Sequence, residues 1–307
     1  MKFYQYLLGS FFILTSLLSQ AQSDNKISGY YFVPSSYNPA YAGSFEIYSI
    51  SAVYNSQWVG FEGAPKTFQL SGHTRLDLSK TGLGFDVAKE EAGAIAETKL
   101  NINYAYHLSI SKKLKLALGL KGGISNAVID YNVLAIEHPE EFNGGPSKER
   151  ILNPLIGTGL YLHTENAYVG LSVPNLITSK SFNNYKMSSV NSTPNYYFNL
   201  GYKWNIDEDF VAQPSVVSRF AKGASSSHLF SMLVDWKEKV YGSVHLEPNV
   251  SVGAFAGFRI SESLIIGYSY DKSVNTFSNY NQGSHAIYVN FRKKEIRRQE
   301  RFSYFTF

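Results

Sequence analysis

The 307-residue chain contains no cysteine, which excludes a disulfide framework, a thiolate metal site and a cysteine nucleophile. Charged residues make up 17% of it, below the roughly 25% of ordinary soluble domains. Aromatics make up 15%, nearly all Tyr and Phe, and beyond the extreme N-terminus no apolar run reaches the ~18 residues of a membrane helix. A helical membrane protein is thereby excluded.

Met1-Lys2 is a short basic start, and Tyr6–Leu18 is an apolar stretch followed by Ser19-Gln20-Ala21, small at the positions a signal peptidase reads. At ~1.5 Å per residue that stretch covers only ~20 Å of a ~30 Å bilayer core. Residues 1–21 are expected to be a cleaved secretory signal peptide, and the mature chain to start at Gln22.

Residues 22–45 are expected to form a periplasmic N-terminal segment. It holds Asn38-Pro39-Ala40-Tyr41-Ala42-Gly43-Ser44, in which Asn38-Pro39 starts a turn and Gly43 permits a positive φ. Two roles are open to it: folding into a lumen as a plug, or meeting a periplasmic partner.

From residue 46 onward the dominant signal is alternation. In 100–110 every even position is apolar or aromatic and every odd one small or polar. The same parity holds in 113–121, 195–206 (Tyr197 excepted), 250–260 and 264–270. Segments at 46–56, 67–77, 81–90, 97–110, 113–125, 154–163, 166–173, 194–206, 209–219, 227–236, 239–246, 249–260, 263–271 and 283–292 read as strands, 81–90, 166–173 and Pro214-bearing 209–219 being the weakest. Links after even-numbered strands are short. Those after odd-numbered ones are mostly long, notably 57–66, 91–96, 126–153 and 174–193. Short periplasmic turns and longer external loops characterise membrane barrels. The expected fold is all-β: a transmembrane antiparallel outer-membrane β-barrel of about 14 strands over 46–292, with both termini periplasmic. One face of each strand would meet outer-membrane lipid. An arginine at Tyr104 is expected to be costly, and one at lumen-facing Asn103 much cheaper.

The first external loop carries Gln57-Trp58-Val59-Gly60-Phe61-Glu62-Gly63-Ala64-Pro65-Lys66-Thr67. Trp58 and Phe61 are either aromatic-girdle residues or a docking patch. After the last strand, 293–307 forms a basic and aromatic tail. Arg292–Arg301 holds six basic and two acidic residues, a net +4 equal to that of the whole chain. Such a tail either meets anionic lipid or docks a periplasmic component.

None of the seven histidines pairs with another at i, i+2 or i+4, and no H-E-x-x-H, G-x-S-x-G or phosphate-binding loop is present. No enzymatic activity, metal or cofactor is expected, and the compartment excludes nucleic acid.

Together with Tyr168–Asn175, Tyr196–Tyr202, Ile266–Asp271 and Gly283-Ser284-His285, the NPAYAGS and QWVGFEGAPKT motifs make the chain similar to the PorP/SprF family of type IX secretion system outer-membrane proteins from Bacteroidetes. Where that family usually has an acidic residue after Ser-His, Ala286 stands here. The resemblance implies a non-enzymatic barrel that supports export or surface attachment of secreted proteins, such as adhesins or gliding-motility components. It also implies secreted substrates and other secretion or periplasmic components as partners. Candidate contact residues are Asn38, Pro39, Tyr41 and Gly43, then Trp58, Phe61, Gly63, Pro65 and Lys66, then Lys294, Arg297 and Arg298. The alternatives are a passive porin or small-solute channel and a purely structural barrel.

Overall fold

The structure, a computed structural model, describes residues 32–44, 47–76, 80–133, 147–177 and 193–294. The expected signal peptide, the interiors of the two longest loops and the tail residues Arg297 and Arg298 lie outside these.

The described residues form a closed antiparallel barrel of fourteen staves. In chain order these are β1 (Ile47–Ser56), β2 (Lys66–Arg75), β3 (Thr81–Ala92), β4 (Ile95–Ser109), β5 (Lys115–Asp130), β6 (Lys148–His163), β7 (Ala167–Val173) and β8 (Asn195–Tyr202). There follow β9 (Trp204–Asn205), β10 (Phe210–Ala221), β11 (Ser227–Trp236), β12 (Val240–Glu247), β13 (Ser251–Arg259), β14 (Leu264–Ser273) and β15 (Ser284–Lys294). Each stave pairs with its sequence neighbours, and β15 pairs with β1 from His285 opposite Ser56 to Lys294 opposite Ile47. The chain therefore enters β1 and leaves β15 at the same end of the barrel.

β8 and β9 are one stave. Gly201 sits opposite Ser215 and Trp204 opposite Ala212, so the register is unbroken. The interruption falls opposite Gln213 and Pro214, where proline has no N–H to give the ladder. Pro214 is accommodated inside β10 without ending it.

Alternation has the expected consequence. Leu100, Ile102, Tyr104 and Tyr106 point outward, whereas Asn103, Ala105 and His107 are buried inside. Tyr197, the apparent exception in its segment, is an inward residue, as is Asn199 beside it. An outer face carrying this much bare Leu, Ile, Tyr and Phe is stable only against lipid.

Two expected loops are shorter than the sequence suggested. The 91–96 link contracts to Gly93-Ala94, with Gly93 at φ +55°, because β3 and β4 stay paired up to Ala92 opposite Ile95. Out of 126–153, residues to Asp130 continue β5 and those from Lys148 begin β6. The outward faces here turn from apolar to charged and carry the ion pairs Lys89–Glu91 (2.6 Å) and Lys148–Asp130 (2.8 Å), while Lys99–Glu97 (2.8 Å) pairs at inward positions of β4. Paired strands thus continue beyond the apolar band at the end opposite the start of β1 and the end of β15.

Turn chemistry closes the hairpins. Lys237 and Glu238 both take positive φ in the tight β11–β12 turn, and Pro248-Asn249 (Asn249 φ +60°) turns β12 into β13.

Candidate functional site

The lumen is occupied by the chain's own N-terminal segment. Pro34–Tyr37 forms one helical turn, α1, and Pro39–Tyr41 a 3-10 turn. The Asn38 side chain accepts from Ala40 N at 3.0 Å, which starts the second turn, and Gly43 at φ +71° reverses the chain toward β1. Asn38, Pro39, Ala40, Tyr41, Ala42, Gly43 and Ser44 are all buried.

The wall is shaped for this segment. Gly82, Ala105, Gly119, Gly159 and Ser172 are successive cross-strand partners on β3, β4, β5, β6 and β7, a row of small residues across five staves. A Cβ on Gly82 would lie 2.0 Å from Ala42 O, on Gly119 2.1 Å from Ala40 N, and on Gly159 2.1 Å from Asn38 Oδ1. These three positions need glycine because the segment lies where a side chain would be.

Beside the row, polar side chains grip the segment. Asp86 on β3 accepts on Oδ1 from Ser36 Oγ (2.6 Å) and Ser71 Oγ (2.8 Å), and on Oδ2 from Asn103 Nδ2 (2.6 Å). Lys121 Nζ on β5 lies 3.5 Å from Asp86 Oδ2 and donates to the Ser36 carbonyl. Asn103 also donates to the Ser35 carbonyl (3.2 Å), Asn38 donates to Leu160 O (3.1 Å), and His107 Nε2 meets Ala42 O at 2.9 Å. Across the lumen the segment meets an apolar cluster set among buried polar residues such as His245, Asp271 and Asn290. Phe32 packs on Phe255 and Tyr288, ring centroids 5.3 and 5.0 Å apart, in a cluster with Val53, Leu233 and Ile265. The segment thus offers polar groups to the Asp86 side and the Phe32 ring to the apolar cluster.

Burial makes Asn38, Pro39, Tyr41 and Gly43 inward contacts of the chain with itself, so of the two roles open to NPAYAGS the observed placement is the plug. The expected tolerance of Asn103 to arginine fails for the same reason: Asn103 is 0% exposed beneath the segment. Its strand does face a lumen, but the lumen is full.

The loop motif lies at the opposite mouth. Trp58 takes φ +44°, and its N–H donates to Ser284 Oγ (3.2 Å). Val59 exchanges main-chain bonds of 2.8 Å with Gln282 and Gly283, and Gly63 O accepts from Gly93 N (2.9 Å). The loop therefore ties the β14–β15 hairpin to the β3–β4 tip. Phe277 meets both Trp58 (4.9 Å) and Phe61 (5.2 Å) edge-on. Gly63 and Lys66 are exposed, Phe61 is 46% exposed, and Pro65 is buried, its carbonyl accepting from Gln57 N. Lys294 ends β15 at the other mouth.

Asp86, Lys121, Ser71, Ser35 and Ser36 escaped the sequence reading. A signal was available: Asp86 and Lys121 sit at inward positions and are the single charges within 81–88 and 116–129. Among the described residues no group of three or more His, Asp or Glu side chains is placed to hold a metal ion.

No curated protein matches the sequence. Among solved structures, the chain is similar to the outer membrane protein Omp33 of Acinetobacter baumannii at 9% identity and a TM-score of 0.45, over 80% of this chain and 98% of that one. It is similar to the CymD monoaromatic hydrocarbon channel at 10% identity and a TM-score of 0.49, over 84% and 91%. The toluene transporter TodX of P. putida aligns at 10% identity and a TM-score of 0.43, over 83% and 90%. The family model described as type IX secretion system membrane protein PorP/SprF matches residues 19–291, nearly the whole barrel and the segment inside it. The chain therefore belongs to the PorP/SprF family of type IX secretion system membrane proteins.

Proposed function

We propose that this protein is a non-enzymatic outer-membrane accessory of the type IX secretion system, which supports export or surface attachment of secreted proteins without itself being their conduit. The observation that carries this reading is the filled lumen: residues 32–44 occupy the space an open porin leaves to water. The end where the chain enters β1 and leaves β15 faces the periplasm in this reading, supported by the short links 110–114, 164–166, 206–209 and 237–239 there. Partners are met at the two mouths. Phe61, Gly63 and Lys66, positioned by Trp58 and Pro65, present the outer rim, and Lys294, the last described residue of β15, lies at the inner one.

A deletion strain tests the proposal. Loss of the barrel is expected to leave specific surface proteins unexported or unattached while uptake of small solutes stays normal. An unchanged surface proteome combined with impaired solute uptake would replace this reading with that of a porin.

A further inference from the structure

We propose that the lumen is a peptide-binding site and that Phe32–Ser44 is its resident, displaceable ligand. The class of ligand is an uncharged, compact segment with an aromatic anchor, a pair of adjacent serines and an Asn-Pro turn. This goes beyond the secretion role and does not depend on it.

Three observations carry the inference. First, the barrel closes without the segment. Every stave is paired on both sides by other staves, including β15 with β1 and β10 with β11, and the segment contributes no strand. Its departure would break no ladder.

Second, beside the apolar clusters that hold Phe32, Val33, Ala40 and Tyr41, the seat recognises the segment's polar groups. Ser36 is held by both members of a buried ion pair, its hydroxyl donating to Asp86 and its carbonyl accepting from Lys121. Burying two charges is costly, and a filler meant to stay would be matched more cheaply by apolar wall. Here the segment itself keeps water off the pair. When it leaves, both charges rehydrate, which offsets part of the free-energy cost of its departure. A wall carrying Asp86, Lys121, Asn103 and Ser71 is stable wet as well as covered.

Third, the segment reads as a ligand. It carries no charge from Phe32 to Ser44, and its contacts are specific in kind along its length. Phe32 enters an aromatic pocket, Ser35 and Ser36 meet hydrogen-bonding side chains, and Asn38-Pro39-Ala40 lies against the glycines. Few convergent polar groups around an apolar anchor are the pattern of a binding site.

The chain's lack of cysteine makes the test clean. Ser35 Oγ and Ser71 Oγ lie 2.7 Å apart, so Ser35→Cys with Ser71→Cys places two thiols within reach of a disulfide that locks the segment to β2. Full-length protein carrying both substitutions is reconstituted in planar bilayers. Reduced, it is expected to show transient openings that oxidation abolishes. A synthetic peptide of the sequence Phe32–Ser44, added in excess, is expected to shorten those openings at least severalfold, and a scrambled peptide is not. Heat-modifiable gel migration, equal in both redox states, establishes that the barrel is folded. Asp86→Asn in the otherwise native chain provides a second route, with the open fraction expected to rise about tenfold. Absence of openings in both proteins, openings indifferent to oxidation, or equal action of the scrambled peptide would each overturn the proposal.

Discussion

Gly119 of β5 and Ala40 of the N-terminal segment approach so closely that a Cβ on the glycine would lie 2.1 Å from the Ala40 nitrogen. The approach explains why an inward position flanked by Ala117 and Lys121 carries no side chain. Gly119→Val is expected to lower stability by about 1–3 kcal/mol through overpacking. Gly122→Ala on the same strand, where nothing lies within 4 Å of the added carbon, is the control and should be near neutral. Urea midpoints of the two purified variants decide the matter; equal midpoints would mean the segment yields without resistance.

Lys121 and Asp86 are each buried, and each supplies the other's counter-charge. Lys121→Met leaves the carboxylate covered with its charge unbalanced, at an expected cost of roughly 3–5 kcal/mol. Combining it with Asp86→Asn removes the stranded charge and should recover part of that loss. A double-mutant cycle by denaturant unfolding measures the coupling, and strict additivity would show that the two groups do not act as a pair.

Ile102 is 67% exposed on a strand whose neighbouring Asn103 is wholly buried. Ile102→Arg puts a charge into lipid near the bilayer midplane and is expected to cost about 2–4 kcal/mol. Asn103→Leu keeps the branched shape but removes the bonds to Asp86 and the Ser35 carbonyl, at about 1–3 kcal/mol. Heat-modifiability in mixed-lipid liposomes separates them, because only the Ile102 variant should respond to bilayer thickness.

A tag inserted at Lys222-Gly223, in the β10–β11 link at the end opposite the start of β1, should be labelled on intact cells. A tag at Asp207-Glu208, in the short β9–β10 turn, should be labelled only after the outer membrane is opened. The reverse pattern would invert the proposed orientation and with it the side on which each partner is met.

Phe61 shares Phe277 with Trp58 yet keeps nearly half its surface open. One such edge-on pair is worth about 0.5–1.5 kcal/mol, too little to decide whether the barrel folds. Phe61→Ser is therefore expected to leave gel migration unchanged and to reduce the amount of secreted protein held at the surface. An unaltered surface proteome would confine Phe61 to bracing the rim.

Much of the barrel is legible in the sequence because alternation is a local property. A residue's face follows from the parity of its neighbours, and Leu100, Ile102 and Tyr104 declare the lipid side within five positions. Turn chemistry is equally local: Asn38-Pro39 and Gly43 announced the turns they make. The length of paired strand beyond the apolar band is less legible, since Ile95, Asp130 and Lys148 read as loop until their partners are known. What only the tertiary structure decided is the content of the lumen. Ser36 meets Asp86 across 50 residues and Asn38 meets Leu160 across 122, and the row Gly82–Ala105–Gly119–Gly159–Ser172 exists only once five staves take their register. Parity tells that these side chains point inward. It does not tell what they point at, because hydrogen bonding and close approach depend on position in space and not on order along the chain.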